Sequence, residues 1–494
     1  MDDASPPEER QIRRRSKNAC DACRSRKVKC LYDNLDSVCK ACRELDIRCT
    51  HDKPRRRRGP PNQYVLDQNR ATLEPSEFST SPASTAVCGS ERLAPFPVIE
   101  HMMHDWFDLI HSVCPIFHRG IFLSRLASGE ANQDGIFAAL VISVCAALIA
   151  SLKRKSTNDY GIVTVQRCVD SIEQIELHTG RFLFSLESCQ IKYHLCVALG
   201  TERSLDDVDS FRFLAESVMG VKYLVYYQMQ DMDKVSQQLL KRLYWLLFVA
   251  LCTSDLHGRP YVGLLTPQDN ISTLTPLELS DNELDPTCSP LGGVDWHGNT
   301  KSYIPGLNHL SKLFLLWHQS QQGSNNSISH LQHYSSLVQR ALDYLPPELK
   351  WRGGLSRPPQ SNFGTDVQTA NLYITQLHIR SNLLEQIRRI SKTSGIQTPT
   401  EVSNERQSIV GDMLEILYHT SQETLEANGH SLIPKIRELG SALLDEVRTG
   451  DREQGLSPNA SVNLERLLAK LEDLDVHSQL QYLEMRSQPE ILES

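Results

Sequence analysis

Six cysteines lie close together near the N-terminus of this chain. They are Cys20, Cys23, Cys30, Cys39, Cys42 and Cys49. Their spacing, C-x2-C-x6-C-x8-C-x2-C-x6-C, is a three-cysteine pattern that occurs twice. Each repeat places two thiols at the start of a short helix and a third thiol after it. Because this polar segment has no apolar core in which to bury unligated cysteines, the pattern predicts metal ligation.

The number of sulfur atoms predicts two zinc ions that share ligands. Structural zinc takes four ligands in a tetrahedron, so six thiolates complete two tetrahedra only if two of them bridge both ions. The symmetry of the repeat makes Cys20 and Cys39 the bridges. Other metal sites fit less well, because ring-type and ribbon-type zinc sites use other spacings and often histidine, and the nearest histidine is His51. Iron–sulfur runs such as C-x2-C-x2-C are absent from the sequence.

Charge distinguishes the two repeats. Between its second and third cysteines, the first repeat has no acidic residue and four basic ones: Arg24, Arg26, Lys27 and Lys29. The second repeat mixes both signs there: Arg43, Glu44, Asp46 and Arg48. Only the first helix is therefore predicted to approach phosphates and guanine edges without repulsion. The alternative is a solvated basic face with no ligand.

The cysteine segment resembles a known family. Residues 20–30, CDACRSRKVKC, and the second repeat resemble the fungal binuclear zinc-cluster transcription factors of the galactose-regulator type. The resemblance implies that the first and fourth cysteines bridge the metals. It also implies that Arg26 and Lys27 reach the bases, commonly in a CGG-type triplet, while Lys29 and Arg24 lie nearer the phosphates. One departure is that residues 31–38 lack the proline that the family often has before the fourth cysteine.

Composition supports a basic head on an acidic body. The chain has 494 residues, 40% of them hydrophobic, and a net charge of −8. Residues 10–58 carry 17 basic and 6 acidic residues, so the rest of the chain is strongly acidic. Basic runs at 13–17 and 55–58 flank the cysteines, and either role expected of them, phosphate contact or nuclear import, predicts a nuclear location; the alternative is a simple basic linker. The N-terminal residues lack the apolar run of a signal peptide, and the longest apolar stretch, 136–152, is predicted to be a buried core helix rather than a membrane span.

The predicted fold class is mainly α, with a small six-cysteine, two-zinc DNA-binding module, a flexible linker and a large irregular all-α regulatory domain. The predicted segments are a disordered tail at 1–15, the zinc-cluster domain at 16–53, a basic and then Ser/Thr/Pro-rich linker at 54–97, a helical domain at 98–350, its C-terminal helical part at 365–450, and an acidic-hydrophobic tail at 451–494.

Helical periodicity predicts the body. Apolar residues recur at helical spacing at Val235, Leu239, Leu240, Leu243, Leu246 and Leu247. Asp233 is the predicted N-cap of that helix, which is expected to end at Gly258 and Pro260. Further predicted helices include 367–392 and 405–427. Residues 461–475 mix leucines with acids, which predicts either an amphipathic helix packed on the body or an activation segment that recruits a coactivator.

Two stretches of the body resemble the fungal-specific transcription factor domain. They are WFDLIHSVCPIFH at 106–118, and KRLYWLLF at 241–248 leading to GRP at 258–260. The resemblance covers roughly residues 98–350, with weaker similarity to 450. It implies a regulator of sugar-utilisation or secondary-metabolite genes.

The sequence therefore predicts a zinc-dependent, sequence-specific regulator of RNA polymerase II genes that binds double-stranded DNA and no membrane. A homodimer is left open, because Leu66 and Leu73 alone are too few for a coiled coil. A coactivator or small-molecule effector is expected at the helical body. The alternative function is an enzyme or scaffold that uses the zinc module only as a structural staple. The sequence contains no catalytic motif, so the chain is predicted not to be an enzyme. The alternative candidates are the four histidines between 101 and 118, for a metal site, and Cys114, for a nucleophile.

Overall fold

A computed structural model describes residues 19–32, 38–51, 89–90, 93–152, 160–161, 163–179, 184–203, 206–259, 263–266, 269–285, 301–322, 327–353, 361–395, 399–453 and 458–474. The chain divides into two compact units, Met1–Ser84 and Thr85–Ser494. The predicted tail at 1–15, nearly all of the predicted linker at 54–97 and the last twenty residues lie outside the described residues. The predicted segment boundaries stay predictions.

The structure confirms the predicted fold class: the described residues form helices and turns and contain no β-strand. The first unit holds two short helices, α1 (Asp21–Ser25) and α2 (Lys40–Glu44). The second unit begins with α3 (Phe96–Asp105), α4 (Arg119–Ala127), α5 (Gly135–Ser151), α6 (Val165–Thr179), α7 (Leu186–Glu202), α8 (Val208–Tyr227) and α9 (Lys234–Leu256). It continues with α10 (Ile271–Leu274), α11 (Asp281–Leu284), α12 (Ile304–Gln321), α13 (Ile328–Arg340), α14 (Phe363–Thr393), α15 (Pro399–His419), α16 (Gln422–Ala427), α17 (Leu432–Glu453) and α18 (Pro458–Leu474).

Helix α5 is the centre of the larger hydrophobic core. Asp134 caps its N-terminus, and its residues from Phe137 to Ala150 are all buried. It packs against α6 and α7, and α7 in turn packs against α8. A helix that is apolar on all sides must be surrounded by other elements, so the interpretation of 136–152 as a core helix is confirmed. None of the described helices is both long and apolar enough to cross a lipid bilayer.

Helix α14 joins this core to a second one. Leu372, Ile379 and Leu383 belong to the larger core, whereas Ile374 and Leu377 belong to a core shared with α15, α17 and α18. In α18, Leu467 is fully buried and packs against this second core. The acidic-hydrophobic segment is therefore, over its described residues 458–474, an amphipathic helix packed on the body.

Capping residues set several helix ends as the sequence predicts, with one exception. The Asp233 side chain accepts a hydrogen bond from the Ser236 N–H at 3.0 Å at the start of α9, and Gly258 adopts a left-handed φ of 69° after its end. The predicted helix at 405–427 is wrong as a single element. The Ser421 side chain caps a new helix, α16, by accepting from the Thr424 N–H, so the chain breaks between α15 and α16.

The two body stretches that carry the family resemblance meet at Asp281. The Asp281 carboxylate accepts from the Arg119 N–H at 2.8 Å and pairs with the buried Arg242 at 3.3 Å. Its carbonyl oxygen lies 3.0 Å from Nε2 of His118. Burial raises the pKa of Asp281, but His111 and Arg242 outweigh it and lower the pKa overall. Asp281 lies 39 positions from Arg242 and 163 positions from His118 in the sequence, so no local pattern indicated this contact.

Candidate metal centre and basic helix

The duplication in the sequence is repeated in the backbone. Cys20 and Cys39 are the N-cap residues of α1 and α2, and both have extended backbone angles. The second cysteine of each repeat, Cys23 or Cys42, lies inside its helix. The Cys23 N–H donates to Sγ of Cys20 at 3.4 Å, so a sulfur atom takes the place that a serine or aspartate oxygen usually has at a helix start.

Both helices also end in the same way. Lys27 and Asp46 occupy equivalent positions and have left-handed φ values of 55° and 49°. The next residue of each repeat donates its N–H back to the second cysteine: Val28 to the Cys23 carbonyl at 3.1 Å and Ile47 to the Cys42 carbonyl at 3.0 Å. This tight helix ending reverses the chain. It allows the third cysteine of each repeat to return to the other sulfurs.

The sulfur atoms converge. Sγ of Cys20 lies 3.8 Å from Sγ of Cys39 and 3.6 Å from Sγ of Cys42, and Sγ of Cys23 lies 3.6 Å from Sγ of Cys39. A tetrahedron with zinc–sulfur bonds of about 2.3 Å has sulfur–sulfur edges of about 3.8 Å. The spacing therefore suits a shared metal ion. Five of the six cysteines are buried, and Cys49 is half-buried.

Cys20 and Cys39 occupy the centre of the cluster. Each of these two sulfurs interacts with all four of the other thiols in the cluster. Those four are Cys23, Cys30, Cys42 and Cys49. A residue that bridges two ions must reach the ligands of both. These contacts are those expected of the two residues that the sequence symmetry predicts as bridges.

The cluster favours a bound cation electrostatically. Burial and the neighbouring thiols raise the pKa of Cys42 to about 12, while backbone N–H donation and Tyr32 lower the pKa of Cys49 to about 7. Thiolates this close repel one another unless a positive ion compensates them. The described residues therefore contain a cysteine cluster able to bind metal ions, which is consistent with a zinc-cluster module.

Two contacts around the cluster were not indicated by the cysteine spacing. The Tyr32 hydroxyl lies 3.5 Å from Sγ of Cys49 and 3.0 Å from Nε2 of His51. Asp21 donates its N–H to the Thr50 carbonyl at 2.8 Å and accepts from the Thr50 hydroxyl at 3.2 Å. These contacts fix the start of α1 to the end of the second repeat. The Tyr32 contacts link residues 17 and 19 positions apart and the Asp21 contacts link residues 29 positions apart, so no local pattern predicts them.

The predicted DNA-contacting residues lie on the surface at the end of α1. Arg24, Arg26, Lys27 and Lys29 are all exposed. Arg24 differs from the others, because its guanidinium lies 2.5 Å from the buried Asp21 carboxylate. In the second repeat, Lys40 lies 3.8 Å from Glu44 and the Arg43 guanidinium donates to the Val38 carbonyl at 3.4 Å. The first repeat thus has the stronger positive surface, although Asp21 offsets part of it.

A second group in the body has the composition of a metal site but not its hydrogen bonding. His257 follows α9, His378 lies in α14 and Glu438 lies in α17, and their ligand atoms lie within 4.8 Å of one another. Both imidazoles contact the Glu438 carboxylate: His257 does so through Nδ1, and Nε2 of His378 lies 2.5 Å from a carboxylate oxygen. Metal-binding histidines normally donate their outer N–H to an acceptor. Here the outer nitrogens are buried with no partner among the described residues, so two imidazoles hydrogen-bonded to one carboxylate fit better than two ligands of an ion.

The other histidine and cysteine candidates serve packing and local hydrogen bonds. His101 lies 3.4 Å from Asp105, and Nε2 of His111 lies 3.1 Å from the Phe117 carbonyl. His118 caps α4 by accepting from the Ile121 N–H at 3.3 Å. Burial raises the pKa of the Cys114 thiol to about 12, which keeps it protonated at neutral pH.

No family model, curated protein or solved structure matches this chain.

Proposed function

We propose that this chain is a zinc-dependent, sequence-specific DNA-binding transcription factor that acts on RNA polymerase II genes in the nucleus. The observation that carries this proposal is the duplicated cysteine geometry, in which Cys20 and Cys39 each contact both halves of the cluster while only the first helix presents an acid-poor basic surface. A zinc module that only stabilised the fold and did not bind DNA would not need this difference in charge between two otherwise equivalent repeats.

In this proposal two zinc ions share the six sulfurs. One ion takes the three ligands of the first repeat and Cys39, and the other takes the three ligands of the second repeat and Cys20. The observed contacts of the two bridging residues support this division. When bound, zinc supplies the cross-links that fold a unit too small to have an apolar core of its own.

The first helix is the proposed reading element. Arg26 and Lys27 are assigned to base edges in a CGG-type triplet, and Lys29 is assigned to phosphates. Arg24 is assigned to phosphates as well, because its ion pair with Asp21 keeps it close to the start of the helix. The helical body is proposed to regulate activity through a coactivator or a small-molecule effector.

The duplication provides a matched control for Lys27. Lys27→Ala removes the positive charge while leaving a non-glycine residue at a left-handed position, and Asp46→Ala makes the same backbone change in the second repeat. We expect Lys27→Ala in the full chain to weaken binding to a CGG-containing duplex by about 1–3 kcal/mol. Asp46→Ala should leave that affinity nearly unchanged. Fluorescence anisotropy with labelled duplexes measures both.

Three results separate the proposal from its alternative. Equal affinity of the native chain and Lys27→Ala for the CGG duplex would refute the assigned role of Lys27. A chain that holds about two zinc ions but shows no salt-dependent duplex binding would instead be an enzyme or scaffold with a zinc staple. A chain that holds one ion would contradict the shared-ligand geometry, because the four sulfurs of Cys20, Cys23, Cys39 and Cys42 lie within 4.8 Å and suffice for a single tetrahedron.

A further inference from the structure

Tyr32 and His51 occupy equivalent positions in the two repeats, because each is the second residue after a third cysteine. The backbone beside them is equivalent as well. The residue after each third cysteine, Leu31 or Thr50, accepts a backbone hydrogen bond from the first residue of the other repeat's helix, at 2.9 and 2.8 Å. Each repeat therefore ends beside the start of the other. The two side chains meet there, with the Tyr32 hydroxyl 3.0 Å from Nε2 of His51.

The Tyr32 hydroxyl also reaches the sulfurs of the cluster. It lies 3.5 Å from Sγ of Cys49 and interacts with the Cys30 sulfur as well. These are the third cysteines of the two repeats, which the proposed division of ligands assigns to different ions. Cys49 is half-buried, whereas the other five thiols of the cluster are buried. Tyr32 thus contacts the ligand that water and competing chelators reach most easily.

Metal ligation determines the direction of these hydrogen bonds. A metal-bound thiolate has no proton to donate, so the Tyr32 hydroxyl donates to Cys49. That hydroxyl has a single proton, so His51 interacts with it by donating from Nε2 to its oxygen. The result is a chain of two hydrogen bonds, from His51 to Tyr32 and from Tyr32 to Cys49. Residues that hydrogen-bond to metal ligands orient those ligands and strengthen metal binding.

We propose that the Tyr32–His51 pair slows the loss of metal from the cluster by holding Cys49 in place, with Tyr32 as a positioning residue and His51 acting through it. This inference rests on the metal binding in the proposed function and not on DNA binding. It also gives a role to the histidine nearest the cysteines. Six thiolates complete two tetrahedra without it, and its ring nitrogen instead orients the hydroxyl that contacts the sulfur.

The first test is the rate at which the full chain loses zinc to an excess of a chromogenic chelator. Tyr32→Phe keeps the ring and removes the hydroxyl, so we expect zinc to leave about tenfold faster. Leu45→Ala is the control, because Leu45 is 50% exposed in the same unit and is not among the described side chains packed on the sulfurs. It should leave the rate unchanged. Release from Tyr32→Phe at the native rate overturns the proposal.

Variants of His51 separate this role from simple packing. His51→Phe keeps a ring but cannot donate, so it should also accelerate zinc release. His51→Gln retains an N–H donor at the end of its side chain and should release zinc at close to the native rate. In the Tyr32→Phe background, His51→Phe should add no further effect, because His51 acts through the hydroxyl. Additive effects of the two substitutions, or fast release from His51→Gln, would contradict the hydrogen-bonded chain.

Alkylation locates the effect within the cluster. Treatment of the zinc-loaded chain with iodoacetamide, followed by peptide mass spectrometry, should show a higher initial rate at Cys49 in Tyr32→Phe than in the native chain. Cys23 is the internal reference, because it is fully buried and should keep its rate. An unchanged rate at Cys49 overturns the proposal.

These tests distinguish this inference from the proposed function. A chain that loses zinc faster in Tyr32→Phe but binds no duplex would support the role of the Tyr32–His51 pair and refute DNA binding. A chain that binds the CGG duplex and loses zinc equally fast with and without the hydroxyl would refute this inference alone.

Discussion

The two units of this chain are stabilised by different means. The cysteine unit buries five sulfurs, and the apolar side chains packed against them, including Ala22 and Val38, are only partly buried. The body buries many large side chains in two cores joined through α14. Even the helix starts differ, because the Cys20 sulfur caps α1 whereas oxygen atoms of Asp, Ser and Asn side chains cap several long helices of the body.

This contrast shows how chain length determines the source of stability. A segment of about thirty residues cannot bury enough apolar surface to offset its conformational entropy, so a bound ion must contribute most of its folding free energy. The body is long enough to fold through apolar burial alone. Perturbations of the metal and of the core should therefore act on separate parts of the chain.

Removing metal should have the largest effect. Structural zinc sites contribute about 10–16 kcal/mol to folding, so exhaustive chelation should unfold residues 19–51 and leave the body intact. Hydrogen–deuterium exchange of the full chain measures this region by region. Persistent amide protection in α1 and α2 after chelation would show that the contrast between the units is wrong.

Single cysteine substitutions test how the cysteine unit depends on its bound metal. Serine is a better N-cap than cysteine, yet Cys20→Ser should lower zinc affinity at both sites, because Cys20 contacts the ligands of both halves. Cys30→Ser, at a terminal ligand position, should affect one site. Titration of each variant with zinc, which resolves two binding steps, measures this difference. An identical loss of zinc affinity in the two variants would contradict the bridging role of Cys20.

Truncation inside the body should have the next largest effect. Phe137 in α5 is fully buried, with its ring 5.4 Å from that of Phe122 and the Arg125 guanidinium 4.0 Å above it. Phe137→Ala should lower the unfolding free energy of the body by about 3–5 kcal/mol, because it leaves a cavity. Zinc content should be unchanged. Urea denaturation combined with metal analysis tests both expectations, and loss of zinc would mean that the units are coupled.

Acid should weaken the body through its buried neutral histidines. Burial lowers the pKa of His194 from 6.5 to about 3, where it packs 5.2 Å from the Trp106 ring. Between these pH values the unfolded chain binds a proton that the folded chain does not, so stability falls as pH decreases. The loss is about 1.4 kcal/mol per pH unit for one such group. Denaturation of native and His194→Phe chains between pH 7 and 5 should show a shallower slope in the variant.

The smallest expected effect is the loss of a cap. Asp233→Ala removes the carboxylate that accepts from the Ser236 N–H at the start of α9 and should cost about 1 kcal/mol. Thermal unfolding of the body measures it, with Asp231→Ala as a control, since Asp231 precedes the cap and no capping bond involves it. An effect as large as that of Phe137→Ala would mean that local capping outweighs core burial in this unit.

Local patterns in the sequence predicted most of the fold. The spacing of the cysteines placed two of them at the start of each short helix, and the leucine pattern with Asp233 and Gly258 defined α9. These features were predictable because helix formation and capping depend on residues within about four positions of one another. The break between α15 and α16 was missed, since the periodic pattern of 405–427 continues across Thr420 and hides the cap at Ser421.

The candidate site divides in the same way. Its sulfur atoms and basic residues follow from composition and spacing, and the sequence by itself determined which residues gather and which repeat carries the charge. Only the tertiary structure decided that Tyr32 contacts Cys49, that Asp21 engages both Arg24 and Thr50, that Asp281 joins the two body stretches and that α8 keeps an apolar face exposed. These contacts connect positions far apart in the chain or depend on which face a neighbouring helix leaves uncovered. Short-range periodicity contains neither kind of information, because both arise only when the helices pack.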